Sequence, residues 1–198
     1  MSGVRVSPRR QEIVRLAGEL FAEQGYATTT VRDIADRAGI LSGSLYWHFA
    51  AKEDIAYELL SEFTEHLLRR YREVVAEAAH PFDALRAVLV VAVHAVGTHH
   101  AAANVLQSDK TWLYQQERFA FLPIAAEEVR QIWCALLRAC VADGSVREDL
   151  DVELTFRFLR DGVWGIARWI ADDRRDIDDI ARTFVDHNLS GMAKDSSR

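Results

Sequence analysis

The stretch from Thr28 to His48 limits this chain's possible folds more than any other. It runs Thr28-Thr29-Thr30-Val31-Arg32-Asp33-Ile34-Ala35-Asp36-Arg37-Ala38-Gly39-Ile40-Leu41-Ser42-Gly43-Ser44-Leu45-Tyr46-Trp47-His48. The pattern predicts two helical pieces joined by a tight turn. Thr30 and Asp33, three apart, make a capping-box-like pair, with the carboxylate near the positive end of the first helix. Ile34 and Ala38 fall on one buried stripe. Gly39 follows the last periodic residue, where a left-handed turn favours glycine. The second piece, Ser42 to His48, is barely two turns long and too short to persist alone. Its polar side carries Ser42, Ser44, Tyr46, Trp47 and His48, and Leu45 points inward on spacing. A short, supported helix with small hydroxyls at its start and aromatic or imidazole groups at its end suits insertion into a DNA major groove. Gly43 leaves room there for close backbone approach.

The rest of the chain must supply that support. Its 198 residues suit one or two compact domains, and 49% of them are apolar, enough for a sizeable core. With only three prolines and few alternating stretches, the pattern predicts an all-α fold. No apolar run approaches the ~20 residues needed to span a bilayer. The longest, Ala87 to Val93, sits inside a helical pattern, and residues 1–6 lack the apolar core of a signal peptide. A cytoplasmic protein with no membrane partner is expected. Cys134 and Cys140 fall on different faces of one helix, so two buried thiols are expected rather than a disulfide.

The formal charge of −6 argues against a general nucleic-acid binder, but its distribution does not. Residues 1–52 hold seven Lys/Arg against five Asp/Glu, a balance of +2, whereas residues 53–198 hold 17 against 25, a balance of −8. The basic excess lies with the groove-reading stretch.

In chain order, residues 1–6 read as a loose arm, with Arg5, Arg9 and Arg10 close to the start of the first helix; such a basic arm touches phosphate or the minor groove, or else stays solvated. Ser7-Pro8 opens a first helix running to about Gln24. A fourth, long helix follows Lys52 to about Ala79, a rigid lever across the domain boundary, until His80-Pro81-Phe82 breaks it. Apolar helix five spans about 82–98, and residues 99–109 continue as helix or turn. Lys110 to Gln116 comes next, and Pro123 opens helix seven, which Gly144 stops. Helix eight spans about 152–171 and helix nine about 176–189, with a polar tail from Gly191, about nine helices in all. Helix eight has two apolar faces: Phe156, Leu159, Val163, Ile166 and Ile170, and then Leu154, Phe158, Gly162, Gly165 and Trp169. One face serves the protomer's own core. The other predicts pairing with a second copy in a four-helix interface.

The run Thr30-Val31-Arg32-Asp33-Ile34-Ala35, then Ala38-Gly39-Ile40, Gly43-Ser44-Leu45-Tyr46-Trp47-His48-Phe49 and Lys52-Glu53, resembles the DNA-binding signature of the TetR family of repressors. Two positions depart from that signature. Leu41 stands where the family commonly has a Ser cap, which Ser42 would take over one residue later, and Ala51 stands where Ser or Asn is common. The resemblance implies an N-terminal three-helix helix-turn-helix domain, 1–52, and a C-terminal helical ligand-binding and dimerisation domain, 53–198. It implies a homodimer through the last two helices, on an inverted-repeat operator of double-stranded DNA with half-sites about 34–36 Å apart. It assigns Thr30, Arg32, Tyr46, His48 and Lys52 to phosphate, and leaves Ser42, Gly43, Ser44 and Trp47 for base edges. Trp47 cannot donate a bidentate pair, so it presses on a thymine methyl, stacks on sugar, or packs on a neighbouring helix.

The family's regulatory domains take a small molecule that moves the helix-four levers apart and frees the DNA. Phe158-Leu159-Arg160-Asp161, Trp164 and Arg168-Trp169 are similar to a subgroup that represses sterol-ring degradation genes and responds to coenzyme A thioesters. Arg160 and Trp164, four apart, share a helix face suited to an anionic, ring-containing effector, or Arg160 is a surface residue paired with Asp161 or Glu153. Trp112 and Trp133, with Tyr114, either line the same pocket or pack in the core. No cofactor beyond that effector is expected. His94 and His99 are five apart without accompanying Cys, so no metal site is expected. No nucleophile motif or phosphate-cradling glycine loop appears, so no enzyme is expected. The alternative from another class is a helical ligand-binding or catalytic protein that does not bind DNA.

Overall fold

The computed structural model describes residues 7–170 and 173–192. Among them it holds ten α-helices, one 3-10 turn and no strand. The helices are α1 (Pro8–Gln24), α2 (Val31–Arg37), α3 (Ser42–Leu45), α4 (Lys52–Glu77), α5 (Pro81–Thr98), α6 (His100–Ser108), α7 (Lys110–Leu113), α8 (Phe121–Ala142), α9 (Val152–Trp169) and α10 (Ile177–Ser190); the 3-10 turn is Glu117–Phe119. The all-α expectation holds. The tenth helix comes from 99–109, where an alanine run gives α6 high intrinsic helicity. The arm at residues 1–6, with Arg5, and the tail beyond Met192 lie outside the described residues, as does the expected end of helix eight at residue 171.

The local signals act as their chemistry requires. Ser7 caps α1, accepting from the Arg10 backbone N–H at 3.3 Å, and Pro8 sits in the first turn. Thr30 and Asp33 close a full capping box: Thr30 Oγ1 accepts from the Asp33 N–H at 3.2 Å, and Asp33 accepts from the Thr30 N–H at 2.8 Å. Gly39 has φ of 66°, and beside it Ile40 N–H reaches the Ala35 carbonyl at 3.0 Å, so α2 ends in a Schellman turn. Pro123 does not open α8. The helix starts two residues earlier, leaving proline in the first turn, where its missing N–H costs nothing.

The chain divides into two compact units. The first holds residues up to Phe63 together with Ala101–Phe121. The second holds Thr64–His100 and the residues from Leu122 onward. Helix α4 contributes to both. The first unit is larger than the segment 1–52 assigned above to DNA binding, because α6, α7 and the 3-10 turn pack into it. Its core includes Ile13, Phe21, Ile34, Leu45, Ile55, Leu60, Leu113 and Phe119.

The second unit is built round α5, whose eight buried residues include Leu85, Val88, Leu89 and Val93. Among the described residues α5 alone is long and apolar enough to cross a membrane, at 18 residues and mean hydropathy 1.4. Its apolar surface is instead covered by α9 and α10. Helix α9 buries Phe156, Leu159, Val163 and Ile166, the first of its two apolar faces. At Gly162 a Cβ would stand 2.8 Å from the Phe184 ring of α10, so glycine is what lets the two helices approach. Cys134 and Cys140 are buried free thiols.

Candidate DNA-binding surface and effector region

Helix α3 is shorter than its sequence suggests. Only Ser42–Leu45 is α-helical, and the chain then tightens, with Trp47 N–H to Ser44 O at 3.2 Å and His48 N–H to Leu45 O at 2.9 Å. Leu41 is its cap residue and makes no side-chain cap hydrogen bond. Ser42 does not take over that role. What fixes the element is Leu45, buried to 1% exposure in the first unit's core. Anchoring Leu45 turns its neighbours outward: Trp47 is 89% exposed and Tyr46 57%. Packing of Trp47 on a neighbouring helix is therefore excluded. Gly43 is exposed, and a Cβ there would meet nothing within 4 Å. Ser42 and Ser44 are half-buried beside it.

The five residues assigned to phosphate are placed differently from one another. Arg32 is exposed, with only a loose 3.8 Å ion pair to Asp36. Tyr46 is exposed and His48 half-buried. Thr30 puts its hydroxyl into the α2 cap, and from there it donates to Asp33 at 2.7 Å. Lys52 is the departure. Its Nζ donates to the carbonyl oxygens of Tyr26 at 2.7 Å and Thr29 at 2.8 Å, and lies 4.2 Å from the Tyr26 ring centroid. One N–H of its three is left over. Burial pulls the Lys52 pKa down, against the pull of Glu53 and Asp109. Lys52 is first an internal brace between the start of α4 and the loop before α2.

Arg9 and Arg10, in the first turn of α1, are both held inside the first unit. Arg9 Nη2 donates to the Ala38 carbonyl at 2.5 Å, and Arg10 donates through Nη1 to the His48 carbonyl and through Nε to Glu58 at 2.7 Å. The Arg10 guanidinium also lies 3.9 Å from the centroid of the buried Phe49 ring. The sequence carries a signal for this. Two arginines in the first turn of a helix sit against the positive end of its dipole, so something else must hold them.

The four residues expected to meet an effector are not all brought together. Trp112 lies in the first unit, its ring 5.0 Å from Tyr26 and 6.0 Å from Phe119. It belongs with the helix-turn-helix. Trp133, Arg160 and Trp164 lie in the second unit. Trp133 is 2% exposed, in an aromatic row with Tyr71 of α4 (6.2 Å between centroids) and Phe156 of α9 (5.9 Å, edge-on). The Tyr71 phenol is pushed well above its usual pKa by burial. Arg160 extends that row, with its guanidinium 5.5 Å from the Phe156 centroid and paired to Asp161 at 2.8 Å. Glu153 is held instead by Arg130 and Arg138. Trp164 is half-buried on the same helix. A cation beside stacked rings is the chemistry an anionic ring system needs. Among the described residues no group of three or more His, Cys, Asp or Glu is placed to hold a metal ion.

A helix closed by a capping box, a glycine turn and a short outward-facing element together define a helix-turn-helix DNA-binding regulator. The chain belongs to the TetR family: residues 13–59 match the family model for bacterial regulatory proteins of the tetR family, and residues 78–192 match a tetracyclin repressor-like C-terminal domain. Regulators of this family bind DNA, usually as dimers, and ligand-responsive repression is their general mode. The chain is 43% identical over 188 residues to the HTH-type transcriptional repressor KstR2 of Rhodococcus jostii, spanning 94% of this chain and 92% of that one. It is 42% identical over 165 residues to KstR2 of Mycobacterium tuberculosis, spanning 83% and 82%. The solved structure of the latter ketosteroid transcriptional regulator superposes with a TM-score of 0.92 at 38% identity, over 96% of this chain and 98% of that chain.

Proposed function

We propose that this protein is a cytoplasmic repressor of genes for the breakdown of ring-containing lipids, freed from DNA by a small anionic effector. Two copies pair through the outward face of α9 and through α10, and each sets its α3 turn in one major groove of an inverted repeat. Ser42, Gly43, Ser44 and Trp47 meet base edges. Arg32, Tyr46 and His48 meet phosphates, with the hydroxyl of Thr30 and the remaining N–H of Lys52 beside them. The observation that carries this reading is the exposure of Trp47 at 89% on an element whose next-but-one neighbour, Leu45, is fully buried. A tryptophan held out into water by a buried anchor lowers the stability of nothing else and waits for a partner.

Arg160 and Trp164 are the effector contacts, with Trp133 and Phe156 as the wall behind them. The resemblance of Phe158-Leu159-Arg160-Asp161, Trp164 and Arg168-Trp169 to the subgroup that represses sterol-ring degradation genes supports a coenzyme A thioester of a ring-containing acid as the effector class. No catalytic role is assigned. The test is a mobility shift on the DNA upstream of the protein's own gene. Retardation that a ring-acid thioester reverses, and that the free acid and free coenzyme A do not, supports the whole reading. Binding without sequence preference at ~100 mM salt overturns it. An unchanged dose response in Arg160→Ala removes Arg160 from the effector site.

A further inference from the structure

A four-residue helix without a side-chain cap needs an external hold, and two adjacent arginines supply one. Arg9 and Arg10 open α1, yet each spends its guanidinium on a backbone carbonyl of another segment. Arg9 takes the Ala38 carbonyl, at the C-cap of α2, and Arg10 takes the His48 carbonyl, just past α3. The Ala38 carbonyl is one that a helix end leaves without an intrahelical partner, at the negative end of the α2 dipole, and the His48 carbonyl belongs to the turn that follows α3. A guanidinium is the matching group, because its planar fork donates in several directions at once. Arg10 donates in two directions and stacks in a third: Glu58 of α4 at 2.7 Å on one edge, the His48 carbonyl on another, and the Phe49 ring at 3.9 Å beneath its plane. Glu12 does the same for Arg9, holding Nη1 at 2.5 Å.

We propose that the Arg9–Arg10 pair is a positioning clamp for operator reading, with Arg10 as its principal member. It fixes the azimuth of Ser42–Trp47 relative to α1 and α4 without touching DNA. The inference rests on the assignment of Ser42–Trp47 as the base-reading surface. It goes beyond that assignment because it separates two ways an arginine near DNA can act. A phosphate contact supports affinity for any duplex and appears in the salt dependence. A clamp supports discrimination and leaves the salt dependence alone.

The experiment measures binding of the full chain to an operator selected from random duplexes, and to a scrambled duplex of equal length, across a salt series. Arg10→Ala is expected to weaken operator binding about tenfold or more, the scale of a badly placed base contact. Affinity for the scrambled duplex, and the slope of log affinity against log salt, should stay at wild-type values. Arg9→Ala is expected to do the same more weakly. A slope reduced by about 0.9 in Arg10→Ala, with equal losses on both duplexes, makes Arg10 a phosphate contact and overturns the clamp. Unchanged operator binding overturns it as well. Where Arg10→Ala lowers helicity, Arg10→Lys carries the test. It keeps the charge but cannot hold Glu58 and the His48 carbonyl together, and it should lose part of the operator preference at unchanged slope; wild-type preference in Arg10→Lys counts against the clamp. Trp47→Ala is the control for the underlying assignment. If it leaves the preference intact while Arg10→Ala removes it, Trp47 is not a base reader and the clamp acts through Ser42, Gly43 and Ser44.

Discussion

Helix α3 with its flanking residues, and helix α9, both hold large apolar side chains out to solvent, and they do so by opposite means. Helix α9 stands by itself. It has 18 residues, an Asp151 cap accepting from the Leu154 N–H at 2.9 Å, and a buried stripe from Phe156 to Ile166. Its second face, with Phe158 at 67% exposure and Leu154 and Trp169 beside it, is a surplus that its length makes available. Helix α3 has four residues, no side-chain cap and one buried anchor, Leu45. Everything else that holds it comes from elsewhere in the first unit: the Arg10 fork, the Phe49 plug and the Schellman turn at Gly39. An exposed face on a long helix needs only a second copy to cover it, since pairing is non-directional apolar burial. An exposed face that reads a groove needs its backbone fixed, so a feeble element is placed where stronger ones can grip it.

That contrast is open to test, beginning where the effect is largest. Phe158→Asp puts a charge in the middle of the outward α9 face. It should turn a dimer into a monomer by light scattering and cut operator binding on the order of a hundredfold or more, since the second half-site then contributes nothing. A dimer that survives Phe158→Asp would show that α9's surplus face has another purpose. Leu45→Ala removes the single anchor of α3. It should cost the first unit about 2–5 kcal/mol in urea unfolding, whereas Trp47→Ala, two residues along the chain but in water, should stay within about 0.5 kcal/mol. Equal costs for the two would mean that α3 is not held through its buried side.

Within the exposed set, Tyr46→Ala should weaken binding to every duplex at an unchanged salt slope, since a neutral phenol displaces no counterion, while Trp47→Ala should change the ranking of operator variants by about 1–3 kcal/mol. The smallest effect belongs to the caps. Thr30→Ala and Asp151→Ala should each cost ~1 kcal/mol in thermal unfolding. Thr30→Ala should also be read out in acid. Asp33 is held below the usual carboxylate pKa by the Thr30 hydroxyl and then by its backbone N–H. A depressed folded pKa contributes stability above the ordinary carboxylate range and loses it as pH falls through the folded value. Thr30→Ala should therefore flatten the acid limb of the stability curve, and an unchanged limb would remove the capping box from the account.

Much of this was legible in residue spacing. The Thr30–Asp33 box, the Gly39 turn, Leu45 inward with Trp47 outward, the buried stripe of α9 and the surplus face beside it all follow from short-range geometry. Such features depend on residues within about one or two turns of each other, and sequence records those distances directly. The length of α3 was not legible to the residue, because an aromatic-rich end such as Tyr46-Trp47-His48 is compatible with helix or tight turn until something fixes the carbonyls. Nor was the company of Trp112. An amphipathic aromatic suits a ligand wall as well as a seat on Tyr26, and only the packing of α7 into the first unit decides between them.

By itself, the order of residues determined an all-helical chain with a groove-reading turn near one end and a helix with more apolar surface than one protomer can use. Those are consequences of periodicity and capping, which act between near neighbours. Tertiary structure alone decided where Arg9, Arg10 and Lys52 spend their charge. Each reaches a carbonyl 23 to 38 residues away in the sequence. A cation's partner is set by which helix end folding brings within 3 Å of it, and no local pattern encodes that.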